Sequence, residues 1–128
     1  MTELEAVEKS IILWESLVTK ISQLSETDTV DLCEYELRIM KAEIDPNVAN
    51  CTWHCYLCEF FYDPCMHKVD CSECCISRDC GTCNIDDNNQ YQILISSEVP
   101  RIFKLRAANR MLRVMKTRRR ELLSQGQK

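Results

Sequence analysis

Nine of the ten cysteines in this 128-residue chain fall between Cys51 and Cys83. That clustering constrains the fold more than any other feature. The stretch holds two C-x2-C pairs, Cys55-Tyr-Leu-Cys58 and Cys71-Ser-Glu-Cys74, with twelve residues between them. Two residues between thiolates let the backbone turn back, so both sulfurs reach one ion at about 2.3 Å. Four thiolates close a tetrahedral site with no open position, which makes it structural rather than catalytic. The spacing predicts one bound Zn2+ on Cys55, Cys58, Cys71 and Cys74.

A third pair, Cys80-Gly-Thr-Cys83, carries a glycine suited to the tight turn of a metal knuckle. It can join two of Cys51, Cys65, Cys75 and His67 around a second ion, or join Cys71 and Cys74 around a single one. Both sets satisfy the ligand spacing. No iron–sulfur run is matched. His54 adjoins Cys55 and would point away from the same ion in an extended segment. His67 has ligand-compatible spacing from Cys65, although a solvated loop histidine is the commoner outcome.

Composition explains why this stretch needs a metal. Its apolar content is mainly Trp53, Tyr56, Leu57, Phe60, Phe61, Tyr62 and Ile76. So small a cluster does not offset the entropy of ordering a long loop. Metal binding then becomes part of folding. The alternative, disulfides, belongs to oxidising compartments. The acidic start MTELEAVEKS has no apolar h-region, so a cytoplasmic chain without a signal peptide is expected. No apolar run approaches the roughly 18 residues that would span a membrane.

The flanks read as helices. Leu4, Val7, Ile11, Trp14, Val18 and Ile21 follow three- and four-residue steps, widened by Leu17 and Leu24, and predict a helix over 3–25. Thr2 is its candidate N-cap. Trp14 is expected in the core. A second helix is expected from Asp28 or Thr29 to Ile44. Its apolar face would be Leu32, Cys33, Leu37, Met40 and Ile44, with Cys33 as a buried small hydrophobe. Asp45-Pro46 stops it. Tyr91–Ile95 reads as a short strand. Ser96 or Ser97, with Pro100 in the first turn, opens a last helix running to Leu123 with Gly126 as its stop. Leu105, Ala108, Met111, Leu112, Met115, Leu122 and Leu123 form its apolar arc. Arg106, Arg110, Arg113, Lys116 and Arg120 form a basic sector, extended by Arg118 and Arg119.

The expected fold is therefore mainly α: amphipathic helices flanking an irregular zinc-bound cysteine module with little strand. The length suits a single domain over 1–128. Within it lie an acidic helical pair (1–45), a cysteine-rich metal module (46–97) and a basic helix (98–128). Their net charges are −7, −5 and +8. Such polarity serves either an external partner or docking of one end on the other. The first helix and the last are expected to pack together on that account. The apolar stripe also suits a homodimer.

The segment from Cys55-Tyr-Leu-Cys58-Glu-Phe-Phe-Tyr62 through Cys71-Ser-Glu-Cys74-Cys-Ile76 to Cys80 resembles a group of small cysteine-rich zinc-binding accessory proteins of bacteriophages. Leu13-Trp14 in a first helix and a closing amphipathic helix extend the likeness. Cys75 stands where that group usually has Pro, and the strongly basic helix is not typical of it. The resemblance implies a viral zinc-stabilised protein of the host-cell cytoplasm and no enzyme activity.

Three classes of function compete on the residues alone. The first is binding of a protein partner by a zinc-clamped scaffold. The second is nucleic-acid binding, with Arg106, Arg110, Arg113, Lys116, Arg118, Arg119 and Arg120 tracking phosphates. The third, catalysis, is disfavoured. No G-x-S-x-G, H-E-x-x-H or H-x-E with P-C-x-x-C occurs.

Overall fold

The computed structural model describes residues 1–51, 54–69, 74–76, 90–97 and 99–126. The fold is mainly helical, as expected. Helix α1 spans Glu3–Gln23. Thr2 caps it, accepting from the Glu5 amide while the Glu5 carboxylate accepts from the Thr2 amide, a capping box at 3.1 and 3.2 Å. Val7, Ile11, Trp14, Leu17 and Ile21 are buried along the predicted stripe.

The predicted second helix is two helices. Ser25 caps a single turn, α2 (Glu26–Val30). The chain then kinks and restarts as α3 (Glu34–Ile44), with Cys33 at the N-cap position. Cys33 is exposed there, not buried on an apolar face. The physical reason is local: the N-cap sits in extended backbone (φ −115°, ψ 175°), outside the helical period that the sequence pattern assumed. Leu32, one residue earlier, takes the core position instead. Asp45 ends α3, and its side chain starts a 3-10 turn over Pro46–Asn50 by accepting from the Asn47 amide at 3.1 Å.

Helix α4 (Tyr56–Phe60) is followed by a hairpin of β1 (Tyr62–Asp63) and β2 (Lys68–Val69), antiparallel with Tyr62 opposite Val69. Asp63 Oδ1 accepts from the Cys65 and Met66 amides and holds the connecting turn. His67, in left-handed backbone (φ 54°), completes it.

Tyr91–Ile95 is not a strand. It lies in α5 (Gln90–Ile95), with Tyr91 and Leu94 buried one helical turn apart. A short apolar run has no period of its own, and packing on the final helix decides its form. Ser96 donates its hydroxyl hydrogen to the Gln92 carbonyl, one turn back in α5. The last helix, α6, spans Arg101–Gly126. Pro100 precedes its first turn, accepting from the Phe103 and Lys104 amides. Gly126 is the last residue of the helix, which runs three residues past the expected end at Leu123.

Helices α1 and α6 lie antiparallel and form the main interface. Arg118 near the end of α6 binds Glu3 at the start of α1, and Arg101 at the start of α6 binds the Leu24 carbonyl at the end of α1. Their inner faces, with Leu37 of α3, Tyr56 and Leu57 of α4 and Leu94 of α5, close one hydrophobic core.

Candidate functional site

The first C-x2-C pair sits at a helix start. Cys55 is the N-cap of α4, with its sulfur 3.4 Å from the Cys58 amide that donates to it. The two residues between the cysteines, Tyr56 and Leu57, are buried against α1. They anchor the pair to the body of the protein. Tyr56 also donates its phenol hydrogen to Asp45, and Lys9 of α1 lies 5.4 Å from its ring centre. Burial and the Asp45 carboxylate push the phenol pKa upward.

Cys55 is an acidic thiol. The Cys58 side-chain hydrogen bond, then the charge of Lys41 and the amides of Cys58 and Leu57, bring its pKa down to about 6 against the opposing effect of burial. Thiolate is the form that binds metal. Cys51, nearby, moves the other way. Burial raises its pKa, with help from Glu59 and Cys55.

Lys41 is the residue that sequence reading missed. It is 2% exposed, on the inner face of α3. Its ammonium lies 5.2 Å from the Trp14 ring centre and 5.6 Å from that of Tyr91. Two aromatic faces attract a desolvated cation strongly. A signal existed: Leu37, Lys41 and Ile44 share one helical stripe, so a lysine occupies a core register. Lys104 repeats the pattern on α6, in register with Ala108, Met111 and Met115. It is fully buried and donates to the Leu32 and Val30 carbonyls at 3.0 and 3.4 Å, fastening the α2–α3 junction.

The remaining expected ligands are placed as follows. Cys74 is half-buried and packs on the core, while Cys75 is buried within it. Cys65 and His67 are exposed in the hairpin turn. Cys71, Cys80 and Cys83 lie outside the described residues, as does Trp53. His54 has left-handed backbone (φ 51°), and its pKa is lowered by burial and by Arg38 and Lys41. Among the described residues no group of three or more potential ligands comes together. Cys55 and Cys58 place two thiol donors three positions apart at the start of α4.

The basic helix divides. Arg118 binds Glu3 through two nitrogens at 2.8 and 3.0 Å and also meets Glu121. Lys116 pairs with Glu15 at 3.3 Å, and Arg101 with Glu26 at 3.6 Å. Arg106, Arg110, Arg113 and Arg120 are exposed, and Arg119 is half-buried. Arg106 lies over the Phe103 ring at 5.8 Å. No described helix is long and apolar enough to cross a membrane. No protein-family model, curated protein or solved structure matches the chain.

Proposed function

We propose that the chain is a non-enzymatic, zinc-stabilised accessory or regulatory protein that acts by binding a protein partner, in keeping with its resemblance to the bacteriophage group. The observation that carries this reading is the Cys55–Cys58 pair. It is mounted at the start of α4, anchored to α1 through Tyr56 and Leu57, and acidified at Cys55. Zn2+ would be held there with two thiolates from the downstream pair, Cys71 and Cys74. A closed thiolate site supplies stability and a rigid surface, not a substrate position.

Protein binding is preferred to nucleic-acid binding because part of the basic helix is already neutralised by α1 and α2, through Glu3, Glu15 and Glu26. The chain as a whole carries −4. The exposed Arg106, Arg113 and Arg120 support the second reading, phosphate tracking.

The test has two arms. Elemental analysis of the untagged protein should find zinc, and Cys55→Ser should lose both zinc and cooperative unfolding. Wild-type zinc in a folded Cys55→Ser overturns the metal site. In the second arm, the immobilised zinc-loaded protein is exposed to nuclease-treated extract of its natural host. Stoichiometric retention of one protein supports the reading. A salt-dependent mobility shift with DNA or RNA, and no protein retained, replaces it with the second.

A further inference from the structure

The outer faces of α1 and α6 adjoin along one seam. Lys116 reaches Glu15 across it at 3.3 Å, and the two side chains are 42% and 52% exposed, so the pair lies at the surface. At about 100° per residue, Glu8 and Ile12 stand within about 60° of Glu15 on α1, and Arg113 and Arg120 within about 60° of Lys116 on α6. All four are exposed, so each turns from the seam towards solvent, and the two outer faces form one surface. Ile12 is 67% exposed there, an apolar side chain standing straight out from the core.

The two halves of this surface carry opposite charge. Arg106, Arg113 and Arg120 recur at two-turn steps and make a straight basic row on α6. Arg106 lies against the Phe103 ring and Arg120 donates to Thr117, but none of the three meets a carboxylate among the described residues. On α1, Glu8 meets no cation among the described residues, and the neighbouring Lys9 is turned to the Tyr56 ring. A second copy supplies what each half lacks. Because α1 and α6 lie antiparallel and side by side, a two-fold axis running along the seam lays α1 of each copy over α6 of the other, acid on base. An axis across the seam would lay acid on acid, which is repulsive. Arg118 beside Glu3 and Arg101 beside Leu24 fix the level of the two helices, which brings Glu8 level with Arg113. We infer that this surface joins two copies of the chain, Glu8 and Ile12 of each meeting Arg113 and Arg120 of the other, with the arginine stems covering Ile12. The dimer needs neither the metal nor a foreign partner, because every residue in it belongs to α1 or α6.

Sedimentation equilibrium of the purified full chain tests it. Wild type should move from the 15.0 kDa monomer to twice that mass as concentration rises at low salt. Raising salt from about 50 mM to about 500 mM should weaken the association by about tenfold or more. Glu8→Lys with Ile12→Lys should remain monomeric, and so should Arg113→Glu with Arg120→Glu. Mixed one to one, the two variants should form a heterodimer, because each reversed face then meets its complement. Should a reversal unfold the chain, Arg113→Gln with Arg120→Gln is read the same way, and the salt dependence of the wild type needs no variant. A wild type that stays monomeric at its solubility limit in low salt overturns the inference. So does a dimer indifferent to salt, and so do variants that dimerise like wild type. A monomer that instead shifts on adding single-stranded RNA assigns the arginine row to nucleic acid and overturns it as well.

Discussion

Arg118 grips both carboxylate oxygens of Glu3, joining residues 115 positions apart in sequence. Each side chain is 18% exposed, so the pair is largely shielded from solvent. It clamps the end of the basic helix onto the start of the acidic one. The docking expected from charge segregation thus has a definite contact.

Breaking that clamp should cost more than a surface pair. Arg118→Ala is expected to destabilise the protein by about 2 kcal/mol, the scale of a charged hydrogen bond lost from a sheltered site. Arg118→Lys should recover only part of this, since an ammonium does not reproduce the two-pronged geometry. Denaturant unfolding of both variants and of Glu3→Gln, combined in a double-mutant cycle, measures the coupling.

Lys104 should make stability rise towards alkaline pH. Burial lowers its pKa, outweighing Asp31, Cys33 and Glu36, which favour the charge. A folded pKa below the unfolded value of 10.5 means that the unfolded chain binds more protons between the two. Stability from this residue therefore increases as pH rises through the folded pKa towards 10.5. Lys104→Met should flatten that rise. At neutral pH it should also cost about 1–2 kcal/mol, because the Leu32 carbonyl loses its buried donor. Urea unfolding of both proteins from neutral to alkaline pH reads the difference.

Lys41 should be worth more as a cation than as a chain of methylenes. Lys41→Met keeps the packing between Trp14 and Tyr91 and removes the charge. The expected loss is about 2 kcal/mol, that of a desolvated cation–π contact. A thermal melt checks the stability, and a changed Trp14 emission reports the site, since an ammonium on the indole face alters its environment.

Cys33 should prove replaceable. As N-cap of α3 it makes no side-chain hydrogen bond to the helix. Cys33→Ser should supply the missing acceptor and stabilise the protein by up to about 1 kcal/mol. Its zinc content should remain that of wild type. Loss of zinc on this substitution would show that Cys33 belongs with the clustered cysteines after all.

Helix α1 was legible from Thr2 to Ile21, because its cap and a long stripe from Val7 to Ile21 agree with one another, and it ends at Gln23, two residues short of the expected end. The packing of α1 on α6 was legible from segregated charge and matching apolar arcs. The interior lysines were not, because lysine in an apolar register usually turns outward. Whether it is held inside depends on carbonyls and rings from other elements. The Asp28-to-Ile44 reading failed at Cys33 because apolar spacing continues through a kink that only the packing of Leu32 and Lys104 imposes.

The sequence alone determined the first helix with its Thr2 cap, the last helix and the spacing of cysteines into C-x2-C units, since these rest on neighbours a few positions apart. Tertiary structure decided the rest. It broke the second helix, made Tyr91–Ile95 helical against α6, and set Lys41 between Trp14 and Tyr91. It also brought the charge of Lys41 to bear on Cys55. Each of these depends on groups far apart in the chain, where desolvation and packing outweigh local preference.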